Sequence, residues 1–285
     1  MGMPNAYKVA NEILRDRMKD KGMFDEFKEL ENSDIVVVKG TYDHIERVFN
    51  NIGVKFGYVD SVNFDNFNLN PDQIIFINCP GNLNPRGLRK LNSFVNEGGF
   101  LFTTDWALRT IIEKVFPGYI RYNNRPTKDE VVRVELLAND DKFLSSILSS
   151  DEEPLWWLEG SSYPIQIINK DKVNVLVKSK EIENKYGESP VFVSFDYGKG
   201  KVYHMISHFY LQKSETRNKR DSSFGSDYLY EKLNVDENKK EKYKRMFDED
   251  TILSEVESAY SSSALMNKVL WDKKKNKEDY KNVTK

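Results

Sequence analysis

The alternation of strands and helices in the first 116 residues is the feature that most constrains the fold. Strand and helix alternate four times at short spacing, and the strand segments are continuous β-branched and aromatic runs. Continuous apolar runs are typical of strands that are buried on both faces. The four predicted strands are 34–40, 54–59, 72–78 and 100–103. Such units predict a parallel sheet with helices on both faces, and right-handed crossovers favour the flavodoxin-like strand order.

The pattern changes after Gly118, where strands follow one another with little helix between them. Gly198 and Gly200 lie in a turn that is typical of a β-hairpin. The predicted strands are 131–137, 165–168, 173–177, 191–195 and 202–206. We expect these strands to extend the same sheet as antiparallel members, so the fold class is α/β: a flavodoxin-like parallel sheet with helices on both faces, extended by antiparallel strands.

Composition divides the chain into three parts. Residues 1–32 form a predicted N-terminal helical extension, and residues 33–212 form one α/β domain. Residues 213–285 contain a charged loop and a helical tail. Within that tail, the apolar residues of 239–271 predict a helix that docks on the domain or on a partner, whereas 272–285 is nearly all polar and is expected to be disordered.

Charge and cysteine content exclude several classes of protein. The chain has 285 residues, with 43 Lys and Arg against 45 Asp and Glu, so its net charge gives no argument for nucleic acid or for a membrane surface. The single cysteine, Cys79, rules out an intrachain disulfide and a cysteine-based metal cluster. We find no apolar run long enough to span a bilayer and no signal-peptide core, so a cytoplasmic location is expected.

The segment 98–106 reads as a buried strand that runs directly into a helix. In parallel α/β sheets this turn often carries a catalytic nucleophile on a sharp elbow above the carboxyl edge. The candidate positions here are Thr104 and Asp105 rather than Cys or Ser. The sequence therefore indicates the scaffold of a hydrolase-like domain without its nucleophile.

Four motifs in order resemble the class I glutamine amidotransferase-like superfamily, and within it the ThuA-like (trehalose utilisation) branch. They are the segment 77–81 after the third strand, Gly98-Gly99 before the fourth, the glycine-rich turn and strand 197–203, and Ser207-His208. The resemblance covers about residues 33–212 and implies the amidotransferase-like fold.

The resemblance also assigns site positions. In catalytic members a Cys lies on the elbow and a His follows a later strand, and the matching residues here are Thr104, Asp105 and His208. The backbone oxyanion site of the family matches residues 78–81. Because a thiolate is missing at the elbow, the usual acyl-enzyme cannot form, and glutaminase activity is not expected.

Two alternatives remain open for each central residue. Asp105 and His208 could form an acid–base pair, or Asp105 could cap the following helix through the backbone amides of Ala107 or Leu108. Cys79 lies at the end of a central strand, where it could pair with His208 or serve as a small, buried and inert side chain.

The other histidines and the paired tryptophans are weaker candidates for a functional site. His204 is expected to be packed in the core, and a metal site built from Asp43, His44 and His208 matches no ligand motif, so we predict no metal. Trp156 and Trp157 could stack on a sugar or line a partner site, or they could plug the sheet edge.

The sequence favours a non-catalytic amidotransferase-like module that binds a ligand or a protein partner. The alternative is a hydrolase or carbohydrate-processing enzyme that uses Asp105 and His208. No cofactor is expected, the partner is an unknown protein or small molecule, and the oligomeric state stays open. The candidate ligand-binding residues are Asn78, Cys79, Gly81, Thr104, Trp156 and Trp157.

Overall fold

The computed structural model describes residues 2–23, 35–137, 141–148, 153–233 and 235–283. Its main feature is an eight-stranded sheet of order β2-β1-β3-β4-β12-β11-β10-β7. The strands are β1 (Ile35–Val38), β2 (Gly57–Val59), β3 (Ile74–Ile77), β4 (Phe100–Thr104), β5 (Ile120–Tyr122), β6 (Glu130–Arg133), β7 (Glu135–Leu136), β8 (Leu155–Leu158), β9 (Ile165–Ile167), β10 (Val173–Lys178), β11 (Pro190–Tyr197) and β12 (Gly200–Met205).

The first five strands of this order are parallel and confirm the predicted flavodoxin-like arrangement. β1 pairs with β2 and β3, and β4 pairs with β3 and β12, all in parallel. Every residue of β1, β3 and β4 is buried, as expected for strands covered on both faces. The carboxyl ends of β3, β4 and β12 therefore meet at one edge of the sheet.

The antiparallel half follows the prediction only in part. β11, β10 and β7 do extend the main sheet as antiparallel strands. The other strands form two separate ribbons, in which β5 pairs with β9 and β6 pairs with β8. The predicted strand 131–137 divides into β6 and β7 because its two halves pair with different partners, β8 and β10.

Helices cover both faces of the sheet, and local signals explain several of their ends. Pro85 opens one helix, and the Asn84 side chain caps it by accepting a hydrogen bond from the Gly87 amide at 2.8 Å. The helix predicted to follow the elbow at 104–105 contains a π-helical turn, Leu108–Ile112. The helices are α1 (Met3–Asp20), α2 (Ile45–Ile52), α3 (Pro85–Asn96), α4 (Glu113–Val115), α5 (Leu144–Ile147), α6 (Lys180–Tyr186), α7 (Asp227–Glu231), α8 (Glu237–Lys244) and α9 (Leu253–Val283).

The N-terminal and C-terminal helices pack into the same hydrophobic core as the sheet. α1 packs against α9, and the Tyr7 hydroxyl of α1 donates to the Phe209 carbonyl at 2.7 Å and accepts from the Leu211 amide at 3.1 Å. The large apolar side chains that α9 buries, each 0–4% exposed, are Leu253, Val256, Tyr260, Leu265, Met266, Val269 and Leu270. The predicted docking of 239–271 is thus on the domain itself, through two helices rather than one.

The expectation of disorder from residue 272 onward is wrong as far as Val283, because α9 continues to that residue. The polar residues at this point have internal partners. Asp272 accepts hydrogen bonds from Lys268 at 2.6 Å and from Tyr203, and Lys273 donates to the carbonyl oxygens of Pro71 and Gly98. Within the described residues, α9 and the other helices lack an apolar stretch of the length a bilayer requires.

Candidate functional site

Asp105 occupies the elbow between β4 and the following helix. Its backbone has a φ of +44°, which is uncommon for a residue other than glycine, and its amide donates to the Met205 carbonyl at 2.8 Å. Such strain at a strand-to-helix turn is typical of nucleophile elbows. Of the two candidates, Asp105 lies on the turn and Thr104 ends the strand.

Three side chains converge beside this elbow, and together we call them the elbow site: Cys79, Asp105 and His208. They follow β3, β4 and β12, which are neighbours in the sheet. One donor atom from each lies within 4.8 Å of the other two, and Nε2 of His208 is 3.5 Å from Oδ2 of Asp105. All three residues are only 1–2% exposed. The sequence left open whether Asp105 and His208 form a pair, and the structure brings their side chains together in a site that is sealed from solvent.

The side chain of Asp105 does not cap its helix. Its Oδ1 accepts a hydrogen bond from the Tyr163 amide at 2.8 Å, and its Oδ2 accepts one from the Ser162 hydroxyl at 3.0 Å. The Leu108 amide donates to the backbone carbonyl of Asp105 instead, at 2.9 Å. The capping interpretation is wrong because the carboxylate is taken up by the loop 159–163 that follows β8.

Glu159 is a neighbour of the elbow site that the sequence analysis did not identify. Its Oε2 lies 3.1 Å from Nδ1 of His208. The only signal was a carboxylate two residues after Trp157, and nothing in the sequence places this aromatic segment beside β12. Because Asp105 faces the other ring nitrogen, His208 has a carboxylate on each side.

These contacts determine the protonation of the site. Burial lowers the pKa of His208, but Asp105, Cys79 and Glu159 outweigh it and hold that pKa well above its usual value. Burial raises the pKa of the Cys79 thiol to about 11. At neutral pH the thiol therefore keeps its proton and is a poor nucleophile.

Thr104 joins the ends of two strands rather than facing an open cleft. Its hydroxyl donates to Oδ2 of Asp43 at 2.6 Å and accepts from the Cys79 amide at 3.1 Å. That amide belongs to the segment matched to the family's oxyanion site, so one donor of the segment is already engaged.

Asn78 and Gly81 also have structural partners. Nδ2 of Asn78 donates to Glu46 at 2.9 Å, and its Oδ1 accepts from the Ile45 amide at the start of α2 at 3.3 Å. Gly81 has a φ of +67°, and a Cβ there would lie 2.9 Å from a methyl group of Ile77. Both residues shape the turn after β3.

The paired tryptophans are packed inside the chain. Trp156 is 0% exposed and its Nε1 donates to the Ser261 hydroxyl of α9 at 3.0 Å. Trp157 is 5% exposed and meets the His208 ring edge-on, with ring centroids 6.0 Å apart. Only the second tryptophan thus borders the elbow site, and neither is displayed for stacking on a sugar.

The remaining histidines lie elsewhere. His204 is 0% exposed, as expected of a core residue, and its Nδ1 is 2.8 Å from the Thr103 hydroxyl. His44 contacts Glu46 at 3.0 Å. Among the residues that the structure describes, Asp43, His44 and His208 do not come together as a group of potential metal ligands, whereas the elbow site does.

Aromatic side chains cover the elbow site at the carboxyl edge. Nε1 of Trp106 donates to the carbonyl of Ser161 at 2.8 Å, which fastens the loop 159–163 over the site. The Trp106 ring stacks on Tyr163 at 5.8 Å and meets Tyr42 edge-on at 5.1 Å. Tyr42 is 41% exposed, so the outer face of this cover is an aromatic surface.

No model of a protein family matches the sequence, and no curated protein matches it. Solved structures resemble it at low identity. PurLQS from Thermotoga maritima is 12% identical with a TM-score of 0.51, over 83% of this chain and 99% of that one.

Two other likenesses have lower TM-scores. A ThuA-like protein from Bacteroides uniformis ATCC 8492 is 13% identical with a TM-score of 0.42, over 62% of this chain and 83% of that one. Gan42B, a GH42 β-galactosidase, is 11% identical with a TM-score of 0.42, over 61% of this chain, and the chain spans only 27% of its length. At these identities the likeness concerns the fold alone, which is a mostly parallel α/β sheet with helices on both faces.

Proposed function

We propose that this chain is a non-catalytic amidotransferase-like module that acts by binding a protein or small-molecule partner. The observation that carries the proposal is the state of Asp105. It occupies the elbow, and both of its carboxylate oxygens are held by Ser162 and Tyr163 in a site that is 1–2% exposed. A side chain held in this way serves the structure of the loop.

The chemistry of the site supports the same conclusion. Amide transfer through an acyl-enzyme needs a thiolate at the elbow, and the only thiol, Cys79, lies after a different strand. Its pKa of about 11 keeps it protonated. Neither Cys79 nor Asp105 therefore matches the family's nucleophile.

The surface above the elbow site suits binding better than turnover. Tyr42, Trp106 and Tyr163 form a continuous aromatic cluster on the carboxyl edge of the sheet, and we call this cluster the aromatic cover. Aromatic side chains dominate the energetics of protein interfaces because they bury large area at small entropy cost. We expect a partner to contact Tyr42, its most exposed member.

The first experiment measures ammonia release from glutamine by the purified protein, beside the variant Cys79→Ala. We expect no release above background from either protein, because no thiolate lies at the elbow. Release from the wild type that is abolished in Cys79→Ala would show that the chain is a glutaminase.

The second experiment locates the binding surface. Partners captured from the native organism are compared for the wild type, Tyr42→Ala and the matched control Tyr58→Ala, since Tyr58 is 47% exposed on the edge strand β2. We expect Tyr42→Ala alone to lose the partner. Equal retention by all three proteins would remove the aromatic cover from the proposal.

A hydrolase or carbohydrate-processing enzyme that uses Asp105 and His208 is the second candidate. It is favoured by one observation, the 3.5 Å approach of the two side chains. This candidate requires the loop 159–163 to open. It predicts activity on an ester or glycoside panel that is lost in Asp105→Asn and His208→Gln while both variants stay folded.

A further inference from the structure

His208 has buried nitrogens without hydrogen bonds. The residue is 1% exposed, and within the described parts of the chain neither Nδ1 nor Nε2 has an aligned hydrogen-bond partner. Carboxylate oxygens lie 3.1 and 3.5 Å from these nitrogens, close enough for ionic contact but outside hydrogen-bond geometry. Buried polar atoms are nearly always hydrogen-bonded, so a ligand that bonds directly to the imidazole would improve on these ionic contacts.

The donor set around His208 indicates the chemistry of such a ligand. The Cys79 sulfur, an Asp105 carboxylate oxygen and an imidazole nitrogen all lie within 4.8 Å of one another. Zinc binds sulfur at about 2.3 Å and nitrogen or oxygen at about 2.0–2.2 Å. Donors around one zinc ion are thus separated by about 3–4 Å, which small side-chain movements would reach here.

Charge balance favours a divalent cation in this place. A buried thiolate and a buried carboxylate would each be costly alone, but together they neutralise a 2+ ion. Thiolate and imidazole ligands suit zinc among the common divalent metals. When the metal binds, the thiol proton of Cys79 and the Nε2 proton of His208 leave to solvent, and a sulfur–metal bond and a nitrogen–metal bond form.

The neighbours of the three donors resemble the outer shell of a metal site. Oε2 of Glu159 faces Nδ1 of His208, so Nε2 remains for the metal on the side of Asp105. A carboxylate in that place orients a ligating imidazole and increases its basicity. The hydrogen bonds from Ser162 and Tyr163 fix the Asp105 carboxylate in the same way.

We infer that the elbow site binds one zinc ion through Cys79, Asp105 and Nε2 of His208, with Glu159 orienting the imidazole. Three protein ligands leave a fourth position for a water molecule. Because the ligands are 1–2% exposed, the metal would join the ends of β3, β4 and β12 rather than meet a substrate.

The full chain is stripped with a chelator, loaded with Zn²⁺ or Co²⁺ alone and freed of excess metal. Elemental mass spectrometry of the purified protein should find about one equivalent of bound metal per chain. The Co²⁺ protein should show the near-ultraviolet charge-transfer band of a cobalt–thiolate bond. If the unmodified protein holds no metal, or if its cobalt spectrum lacks the thiolate band, the assignment is overturned.

Variants then test each ligand. Cys79→Ser should abolish the charge-transfer band, and His208→Gln should abolish stoichiometric binding. Glu159→Gln should weaken Zn²⁺ binding by about 10- to 100-fold in a competition with a chromophoric chelator, as expected for an orienting partner. The matched control His44→Gln removes a histidine outside the site and should leave affinity unchanged. Equal affinity in Cys79→Ser and the wild type would contradict the inference, and circular dichroism confirms that each variant is folded.

Discussion

Replacing Asp105 by alanine tests how much of the stability depends on the elbow. The change removes the carboxylate 3.5 Å from the buried His208 and leaves the Tyr163 amide without its acceptor. Ser162 is less affected, because its hydroxyl also donates to the Glu159 carbonyl at 2.9 Å. The perturbation is therefore a broken ionic contact plus one unsatisfied amide.

The expected loss is large compared with the stability of an ordinary domain. Breaking a buried pair by removing one partner costs about 3–5 kcal/mol, and we expect the lower end here because Glu159 remains 3.1 Å from His208. An unsatisfied buried amide costs about 1–3 kcal/mol. Because the two effects share one site, we expect about 4–6 kcal/mol rather than their full sum. Total unfolding free energies are about 5–15 kcal/mol, so Asp105→Ala should be marginally stable at best.

Asp105→Asn provides the graded comparison. Asparagine tolerates a positive φ and keeps an acceptor for the Tyr163 amide, so the losses are the charge and the acceptor for the Ser162 hydroxyl, which retains the Glu159 carbonyl. We expect a cost of about 2 kcal/mol, in the range for hydrogen bonds to charged groups. Asp171→Ala, at an exposed turn, is the matched control and should change stability by less than about 0.5 kcal/mol.

Urea unfolding in the presence of a chelator, followed by circular dichroism, measures all four proteins without a contribution from bound metal. A loss of less than about 1 kcal/mol in Asp105→Ala would contradict the expected cost. Equal losses of stability in Asp105→Asn and Asp105→Ala would contradict it too, since backbone strain would then outweigh the contacts of the carboxylate.

Three further predictions concern the core and the terminal helices. Burial lowers the pKa of His204 to about 3, below its unfolded value of about 6.5, so the stability it contributes is complete above pH 6.5 and is lost as the pH falls towards 3. Urea titrations should show a loss of up to about 1.4 kcal/mol per pH unit in this window, and His204→Gln should flatten the dependence; parallel curves would contradict this. Deleting Leu253–Val283 removes seven large buried apolar side chains, each worth about 1.5–3 kcal/mol, so the shortened chain should aggregate in size-exclusion chromatography rather than elute as a folded monomer. Tyr7→Phe removes the hydroxyl that bonds to the Phe209 carbonyl and the Leu211 amide, and it should lower the free energy of unfolding by about 1–3 kcal/mol in thermal unfolding. An unchanged melting temperature would show that water replaces the hydroxyl.

Local sequence patterns were sufficient to predict the parallel half of the sheet and to place the elbow at Thr104 or Asp105. Continuous apolar strands such as 34–40 and 100–103 are recognisable because both of their faces are buried. Asp105 and His208 could be placed together because residues that follow adjacent parallel strands share one edge. These inferences depend on short-range periodicity and on a topology that chirality restricts.

Long-range pairing decided the rest. The strand 131–137 looks continuous in sequence, yet it divides because its first half pairs with β8 and its second half pairs with β10. Disorder was expected after residue 272 because its residues are polar, but partners such as Tyr203 and Pro71, about 70 and 200 positions away in sequence, keep that part of α9 ordered.

The elbow site shows the same division between sequence and structure. Short-range patterns were enough to assign Cys79, Asp105 and His208 to the ends of three strands. Only the tertiary structure showed that Glu159 stands behind the imidazole and that the loop 159–163 takes up the Asp105 carboxylate. The physical reason is that burial and hydrogen-bond partners belong to segments brought together by folding, and no local periodicity encodes which distant loop will cover a given strand end.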